Sequence, residues 1–273
     1  MKSNITLFGV GGQPVTRNYL KLLDLASKGK KGYQPHIAII GHAARDPVTD
    51  CTLTAGDFTD LQARVTILTP GSHKRLPAEI DAIYMRGGDQ SRMMEALRKD
   101  GLVSQILEAA EKGIIIAGNS AGTAALSKRM IAGGMEDETL IACGQLLYGE
   151  GLGFFDKLVM DTHVDRYHRE NRDLAICAEN PGTIVVGVDE GTAAQITPAD
   201  KGSDLILEVS GSNHVRIVSQ TARFWSNLTA NSCRRGEGGR SIIGLQVDIL
   251  SLGDRALIPA SRKAEDIKLL DRN

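Results

Sequence analysis

The pentapeptide Gly118-Asn119-Ser120-Ala121-Gly122 places a hydroxyl between glycines, after the apolar run 114–117 and before the helix-compatible residues 123–126. Gly-x-Ser-x-Gly at a strand-to-helix junction is the nucleophile-elbow pattern. Its small residues permit a tight turn that lifts the Ser hydroxyl above the sheet edge. Unpaired N–H groups at the helix start, with that of Ala121 next to the hydroxyl, can stabilise an oxyanion. The same letters also describe an ordinary Gly-rich turn or a phosphate-binding one.

A Ser hydroxyl is a weak nucleophile without a base. Of the six histidines, His36 opens a strand, His73 sits in a turn and His214 in an expected hairpin, while His42 follows a strand and can line a site. His163 and His168 fall in the dense polar segment 161–172, with Arg166, Arg169 and Arg172 at three-residue spacing. Arginines so placed can grip a carboxylate bidentately. A charged helix face with local ion pairs has the same look. The imidazole also needs an acid to orient it. Asp189 and Glu190 end the apolar run 183–188, where sites form in open α/β sheets; Glu136, Asp137 and Glu138 lie closer to Ser120 in sequence. Finally, Gly87-Gly88-Asp89-Gln90 follows the run 82–85 and opens a helix. An N–H from the double glycine can complete an oxyanion hole, while Asp89 caps the helix.

These groups need a scaffold, and the apolar pattern supplies one. Runs 36–41, 65–68, 82–85 and 114–118 are short and β-rich, as strands buried on both faces should be. Between the last two, Met93, Met94 and Leu97, then Leu102, Ile106, Ala109 and Ala110, recur at helical spacing. Strands alternating with helices predict an α/β fold, a mostly parallel sheet flanked by helices. Beyond residue 130 the pattern predicts Gly-rich loops around a short strand over 133–153, a helix over 171–178 and strands over 183–188 and 241–250. It also predicts a hairpin joining 205–209 to 215–218, a mobile loop over 234–240 and a helix-ambiguous tail to 273. A single domain, 1–273, is the simplest organisation.

Lys plus Arg (32) nearly balance Asp plus Glu (33), so no basic footprint marks nucleic acid or an anionic membrane as a partner. Small molecules or peptides are the expected ligands. No run reaches the length of a membrane helix, and the first residues lack a secretory signal, which predicts a cytoplasmic protein. Cys51, Cys143, Cys177 and Cys233 form no CxxC pair, and nothing demands a metal or organic cofactor.

Taken in order, Gly87-Gly88-Asp89-Gln90, Gly118-Asn119-Ser120-Ala121-Gly122, Asp161-Thr162-His163 and Gly187-Val188-Asp189-Glu190 resemble the motifs of cyanophycinase and its relatives, which include dipeptidase E. The resemblance spans residues 82–194. It implies a serine exopeptidase on a flavodoxin-like fold related to class I glutamine amidotransferases. Ser120 is then the nucleophile, His163 the base and Glu190 the orienting acid, with oxyanion donors at Gly88 and Ala121. It also implies a substrate pocket at Gln90, Asp161, Arg169 and Arg172, β-linked aspartyl peptides as substrates, and a homodimer. The sequence departs from the family at Tyr167, where an arginine is usual and Arg166 is the neighbouring cation, at Thr162 in place of Gln, and at Asn119 in place of a small hydroxyl residue. In lipases and esterases of the α/β-hydrolase fold the acid precedes the histidine; here Glu190 follows His163. An esterase or amidase on small substrates, or a non-catalytic binding module, are the alternatives.

Overall fold

The computed structural model describes residues 5–134, 146–199, 203–226 and 241–271. The N-terminal half runs β1 (Leu7–Val10), α1 (Thr16–Ser27), β2 (His36–Ile40), α2 (Pro47–Asp60), β3 (Arg64–Leu68), β4 (Ala82–Met85), α3 (Gln90–Lys99), α4 (Leu102–Glu111), β5 (Ile115–Asn119) and the single-turn α5 (Ala121–Ala124). There follow β6 (Arg129–Gly133), β7 (Leu147–Glu150), β8 (Leu158–Thr162), α6 (Val164–Tyr167), α7 (Glu170–Glu179), β9 (Ile184–Val188), β10 (Thr192–Pro198), β11 (Leu205–Gly211), β12 (Val215–Ser226), β13 (Ile242–Leu250), β14 (Arg255–Ile258) and β15 (Lys268–Leu270).

The larger sheet has nine strands in the order β15-β14-β11-β10-β1-β5-β4-β2-β3. From β1 through β5, β4 and β2 to β3 every pairing is parallel. Antiparallel strands β10, β11, β14 and β15 extend the other side. Strand β2 shows why the sheet is covered twice. Ile37 and Ile39 pack on one face with Tyr19, Leu22 and Phe58, whereas Ala38 and Ile40 pack on the other with Met93, Leu97 and Ile106. Period-two alternation with apolar side chains on both faces is the signature of a strand between helical layers. Helix α2 begins with Pro47 behind an Asp46 cap whose carboxylate accepts from the Thr49 N–H, and Asp89 caps α3 in the same way through Arg92 N–H.

A second sheet, β13-β12-β9-β8, packs Val159, Val185 and Val218 against Ile176 of α7. Two expectations are corrected here. Residues 205–209 and 215–218 do not form a hairpin: β11 pairs with β10 and β14, and β12 pairs with β9 and β13. The residues between them are tied to the start of β10 instead, Ser212 N–H donating to Gly191 O and Asn213 N–H to Thr192 Oγ1. The helix-ambiguous tail after residue 250 is mostly strand: alternate burial of Ala256 and Ile258 marks β14, β15 is the edge strand beside it, and the helical part is the short 3-10 turn Ala264–Asp266.

The topology brings the functional candidates together. Strands β1, β4 and β5 are parallel neighbours, with Val10 beside Asn119 and Met85 beside Gly118. Strands β8 and β9 are also parallel, with Thr162 beside Val188. Ser120, His163 and Glu190 each follow a strand end. Among the described residues no helix is long and apolar enough to cross a membrane.

Candidate active site

Ser120 stands between β5 and α5 with φ 53° and ψ −111°, a backbone conformation that costs a non-glycine residue energy and is held by its surroundings. Its N–H donates to Val10 O, and its carbonyl accepts from Ala124 N–H. The flanking glycines are there for close packing of backbone. A Cβ on Gly118 would lie 2.2 Å from the Gly122 carbonyl carbon, and one on Gly122 would lie 2.2 Å from Met85 O. Thr123 Oγ1 ties the turn to the sheet through Val10 O and Gly118 O, at 2.7 and 2.8 Å. The helix expected beneath Ser120 is only one turn, so its dipole is slight and local N–H groups carry the electrostatics.

His163 follows β8 in the left-handed region, φ 55°, with its N–H on Gly11 O. Gly12 lies against the ring; a Cβ there would sit 2.1 Å from Cε1. Nε2 of His163 is 2.7 Å from Ser120 Oγ, and Nδ1 is 2.7 Å from Glu190 Oε1. Glu190 is itself fixed: its N–H donates to Asp165 Oδ1 at 2.9 Å and its carbonyl accepts from Asn213 Nδ2 at 3.1 Å. Asp189, the other candidate acid, points elsewhere, pairing with Arg216 and accepting from His214 N–H. Glu136, Asp137 and Glu138, together with Cys143, Cys233 and the loop 234–240, lie outside the described residues.

A polar cavity of about 190 Å³ opens beside Ser120, lined by Gly88, Gln90, Ala121, Asp161, Arg169 and Arg172 among others. Gly88 has φ +143°, and a Cβ would meet Ala43 O at 2.3 Å, so only glycine brings this backbone in. Gln90 Nε2 donates to Ile131 O. The expected run of arginines does not share one helix face, because His168 breaks the chain into α6 and α7 with φ 52°. Arg166 is left exposed and does not line the cavity. Tyr167 does, its ring centroid 5.4 Å from that of His163 and 4.7 Å beneath the Arg169 guanidinium. Arg169 Nη1 donates to Thr162 O. Arg172 is buried in a bidentate pair with Asp161. Burial alone would raise the Asp161 carboxyl, but the Arg172 charge outweighs it and holds Asp161 below the usual carboxylate range. Three other histidines are engaged away from the site: His42 is buried on Asp100, His36 meets Thr66, and His73 meets Ser72, while His168 is exposed at the break between α6 and α7.

Sequence reasoning passed over Gly12, Asp165, Asn213 and Asp173. Gly12 had a visible signal, the glycines ending the first strand. The others act across the fold, and only their partners' positions reveal them. Among the described residues no group of three or more His, Cys, Asp and Glu side chains is placed to hold a metal.

Residues 11–202 match the sequence profile of peptidase family S51. The chain is 28% identical over 233 residues to the cyanophycinase of Geminocystis herdmanii, covering 80% of this chain and 81% of that one. It is 31% identical over 234 residues to the cyanophycinase of Trichormus variabilis, covering 81% and 74%. In fold it is similar to a peptidase from an acI-B1 actinobacterium, with a TM-score of 0.62 at 18% identity over 93% of this chain and 98% of that one. A peptidase E-like protein from Listeria monocytogenes gives 0.54 at 16%, over 77% and 99%.

Proposed function

The chain belongs to peptidase family S51 and is a serine-type peptidase, and we propose that it hydrolyses β-aspartyl peptides through an acyl-enzyme on Ser120. The observation that carries this reading is the relay Ser120 Oγ–His163 Nε2–His163 Nδ1–Glu190 Oε1, with both hydrogen bonds at 2.7 Å.

In this mechanism Ser120 Oγ attacks the scissile carbonyl carbon as its proton passes to His163 Nε2. Glu190 holds the ring with Nδ1–H toward itself and stabilises the imidazolium. The oxygen, now negative, is met by N–H groups of Gly88 and Ala121. Collapse re-forms the C=O and breaks the C–N bond, and His163 delivers its proton to the departing amine. A water then attacks the ester carbon, giving its proton to His163; the second collapse returns that proton to Ser120 Oγ and frees the carboxylic acid.

The β-aspartyl preference is supported by the cavity. It is small and polar, and Gln90 and Arg169 line it around the Asp161–Arg172 pair. A β-linked aspartyl group keeps its α-carboxylate free, and a guanidinium beside the scissile carbon is the natural partner for it. The kinship with cyanophycinases points to the same substrate class.

The test is amine release from β-Asp-Arg polymer, β-Asp-Leu, α-Asp-Leu and a neutral dipeptide, with native protein and Ser120→Ala. Release confined to the β-aspartyl members, falling by roughly 10⁴-fold or more in the variant, is expected. Full turnover by Ser120→Ala ends the proposal for the nucleophile. Equal turnover of α- and β-linked peptides ends it for the substrate.

A further inference from the structure

Ser120 and His163 also border a second cavity, of about 350 Å³, and among the described residues they are the only ones it shares with the first. Its walls come from Gln13 after β1, Tyr19 of α1, Thr54 and Asp57 of α2, Tyr84 and Arg86 at the end of β4, and Asn119.

Three polar groups there have capacity to spare. Arg86 Nε donates to Asp50 O and Thr54 Oγ1, at 2.8 and 2.9 Å, and Nη2 lies 3.6 Å from the Asp50 carboxylate. Those contacts pin the guanidinium on α2 and do not use Nη1. The Tyr84 hydroxyl is buried, with the residue 1% exposed; it interacts with the Tyr19 hydroxyl but, among the described residues, makes no hydrogen bond of normal geometry. Burial pushes its phenol well above the ordinary value, so it is a protonated donor. Asn119 Oδ1 is likewise buried without a partner. A buried polar atom left unpaired costs stability, and a ligand that pairs it recovers that cost. A pinned guanidinium beside a phenol O–H suits a carboxylate, and an amide oxygen suits an N–H.

We propose that this cavity receives the leaving portion of the substrate and selects one ending in a free carboxylate, with Arg86 and Tyr84 as the specificity-determining residues. Asn119 Oδ1 accepts an N–H of the same residue. The proposal rests on Ser120 as the nucleophile. A carbonyl seated there has one substituent on each side: the acyl part takes the small cavity of Gln90 and Arg169, and the departing residue takes the larger one. Selection of a terminal carboxylate restricts cleavage to the last bond of a chain.

The experiment compares β-Asp-Leu with its C-terminal carboxamide, using native protein, Tyr84→Phe and Arg86→Gln. The native enzyme is expected to favour the acid by ~10-fold or more in kcat/KM, and each variant to narrow that ratio, chiefly through KM. Tyr84→Phe removes one oxygen and tests the idea even if Arg86→Gln folds poorly. A native ratio near one, or a ratio that neither variant changes, overturns the proposal. If neither peptide is cleaved, the β-aspartyl reading fails first, and the cavity is then read by fluorophosphonate labelling of Ser120. Free leucine is expected to slow labelling more than leucinamide does, an effect lost in Arg86→Gln and kept in Arg169→Gln; equal protection by both ligands overturns the proposal.

Discussion

Ser120 and the His163–Glu190 pair meet at hydrogen-bond distance, yet the two sides are held in place by different physics. Ser120 sits on an apolar, glycine-dictated frame. Its contacts are backbone ones, to Val10 O and Ala124 N–H, and its turn exists because Gly118 and Gly122 let main chains touch. His163 and Glu190 sit on a polar frame. Asp165 and Asn213 hold Glu190, Arg216 neutralises the neighbouring Asp189, and the buried pair Asp161–Arg172 lies one strand residue before His163's own neighbour Thr162. The first frame is steric, main chain of β1, β4 and β5 packed against the turn. The second is electrostatic and spans residues 161–216, so its failures should be graded and dependent on pH, whereas those of the first should be abrupt.

The sharpest way to break this contrast is to add one methyl group to each frame. In Gly12→Ala the Cβ would occupy space 2.1 Å from His163 Cε1, at a φ of +137° that alanine resists. The ring must move, and since about 1 Å of misplacement costs ~10²-fold, kcat should fall by that factor or more while KM moves little. Gly118→Ala puts its Cβ 2.2 Å from backbone rather than from a side chain. Its damage should appear in folding yield and Tm before activity can be compared. Stopped-flow or steady-state kinetics beside thermal melts separate the two. If Gly12→Ala kept native kcat, or if Gly118→Ala melted as the native protein does, the division into a displaceable side-chain frame and a close-packed main-chain frame would be wrong.

That division also explains what the sequence disclosed. Strands β2 and β4 were legible because Ile37 to Ile40 and Ala82 to Met85 carry their burial in consecutive residues. The Asp89 cap was legible because its partner, the Arg92 N–H, lies three positions on, and the glycines around Ser120 because they form a short motif, although Gly122 packs on the distant Met85 O. The hairpin expectation failed because pairing is a long-range choice. Both β11 and β12 have strand character, but Ser212 and Asn213 bond to Gly191 and Thr192 instead of closing a turn. Arg166 has the three-residue spacing of a pocket arginine and stands beside Tyr167, where the family carries one, but the left-handed His168 undoes that spacing and Arg166 is exposed. Asp165 could not be singled out, since its value lies in the N–H of Glu190, 25 residues away.

Asp165 is therefore where the polar frame should yield by degrees. Its carboxylate accepts from Glu190 N–H and from Asn213 Nδ2, so Asp165→Ala loosens the acid without touching His163. Losing a charge-assisted hydrogen bond to a positioning residue is worth ~1–2 kcal/mol, a reduction of roughly tenfold in kcat. Asp165→Asn, which keeps one acceptor oxygen, should recover part of the loss. A positioning role requires that kcat move and KM stay; a fall in Tm with unchanged kcat would show that Asp165 only supports the loop.

A stability measurement, with no demand on catalysis, tests whether the polar frame stores a protonation cost that the glycine frame lacks. Asp173 on α7 is buried, and neither carboxyl oxygen makes a hydrogen bond of normal geometry. Burial, reinforced by the Asp161 charge, pushes its carboxyl well above the ordinary value of 3.8, while Arg172 and Arg216 oppose that rise. A carboxyl raised on folding binds its proton more tightly in the native state than in the unfolded one. Stability is then unaffected by it below the unfolded value and declines as pH climbs from about 4 toward the raised one, by at most ~1.4 kcal/mol per pH unit. Asp173→Asn keeps the shape and abolishes the titration. Its urea midpoint should match that of native protein near pH 4 and exceed it increasingly toward pH 8. Parallel pH profiles would mean that Asp173 is charged in the folded state, and that Arg172 is shared between two carboxylates instead of committed to Asp161.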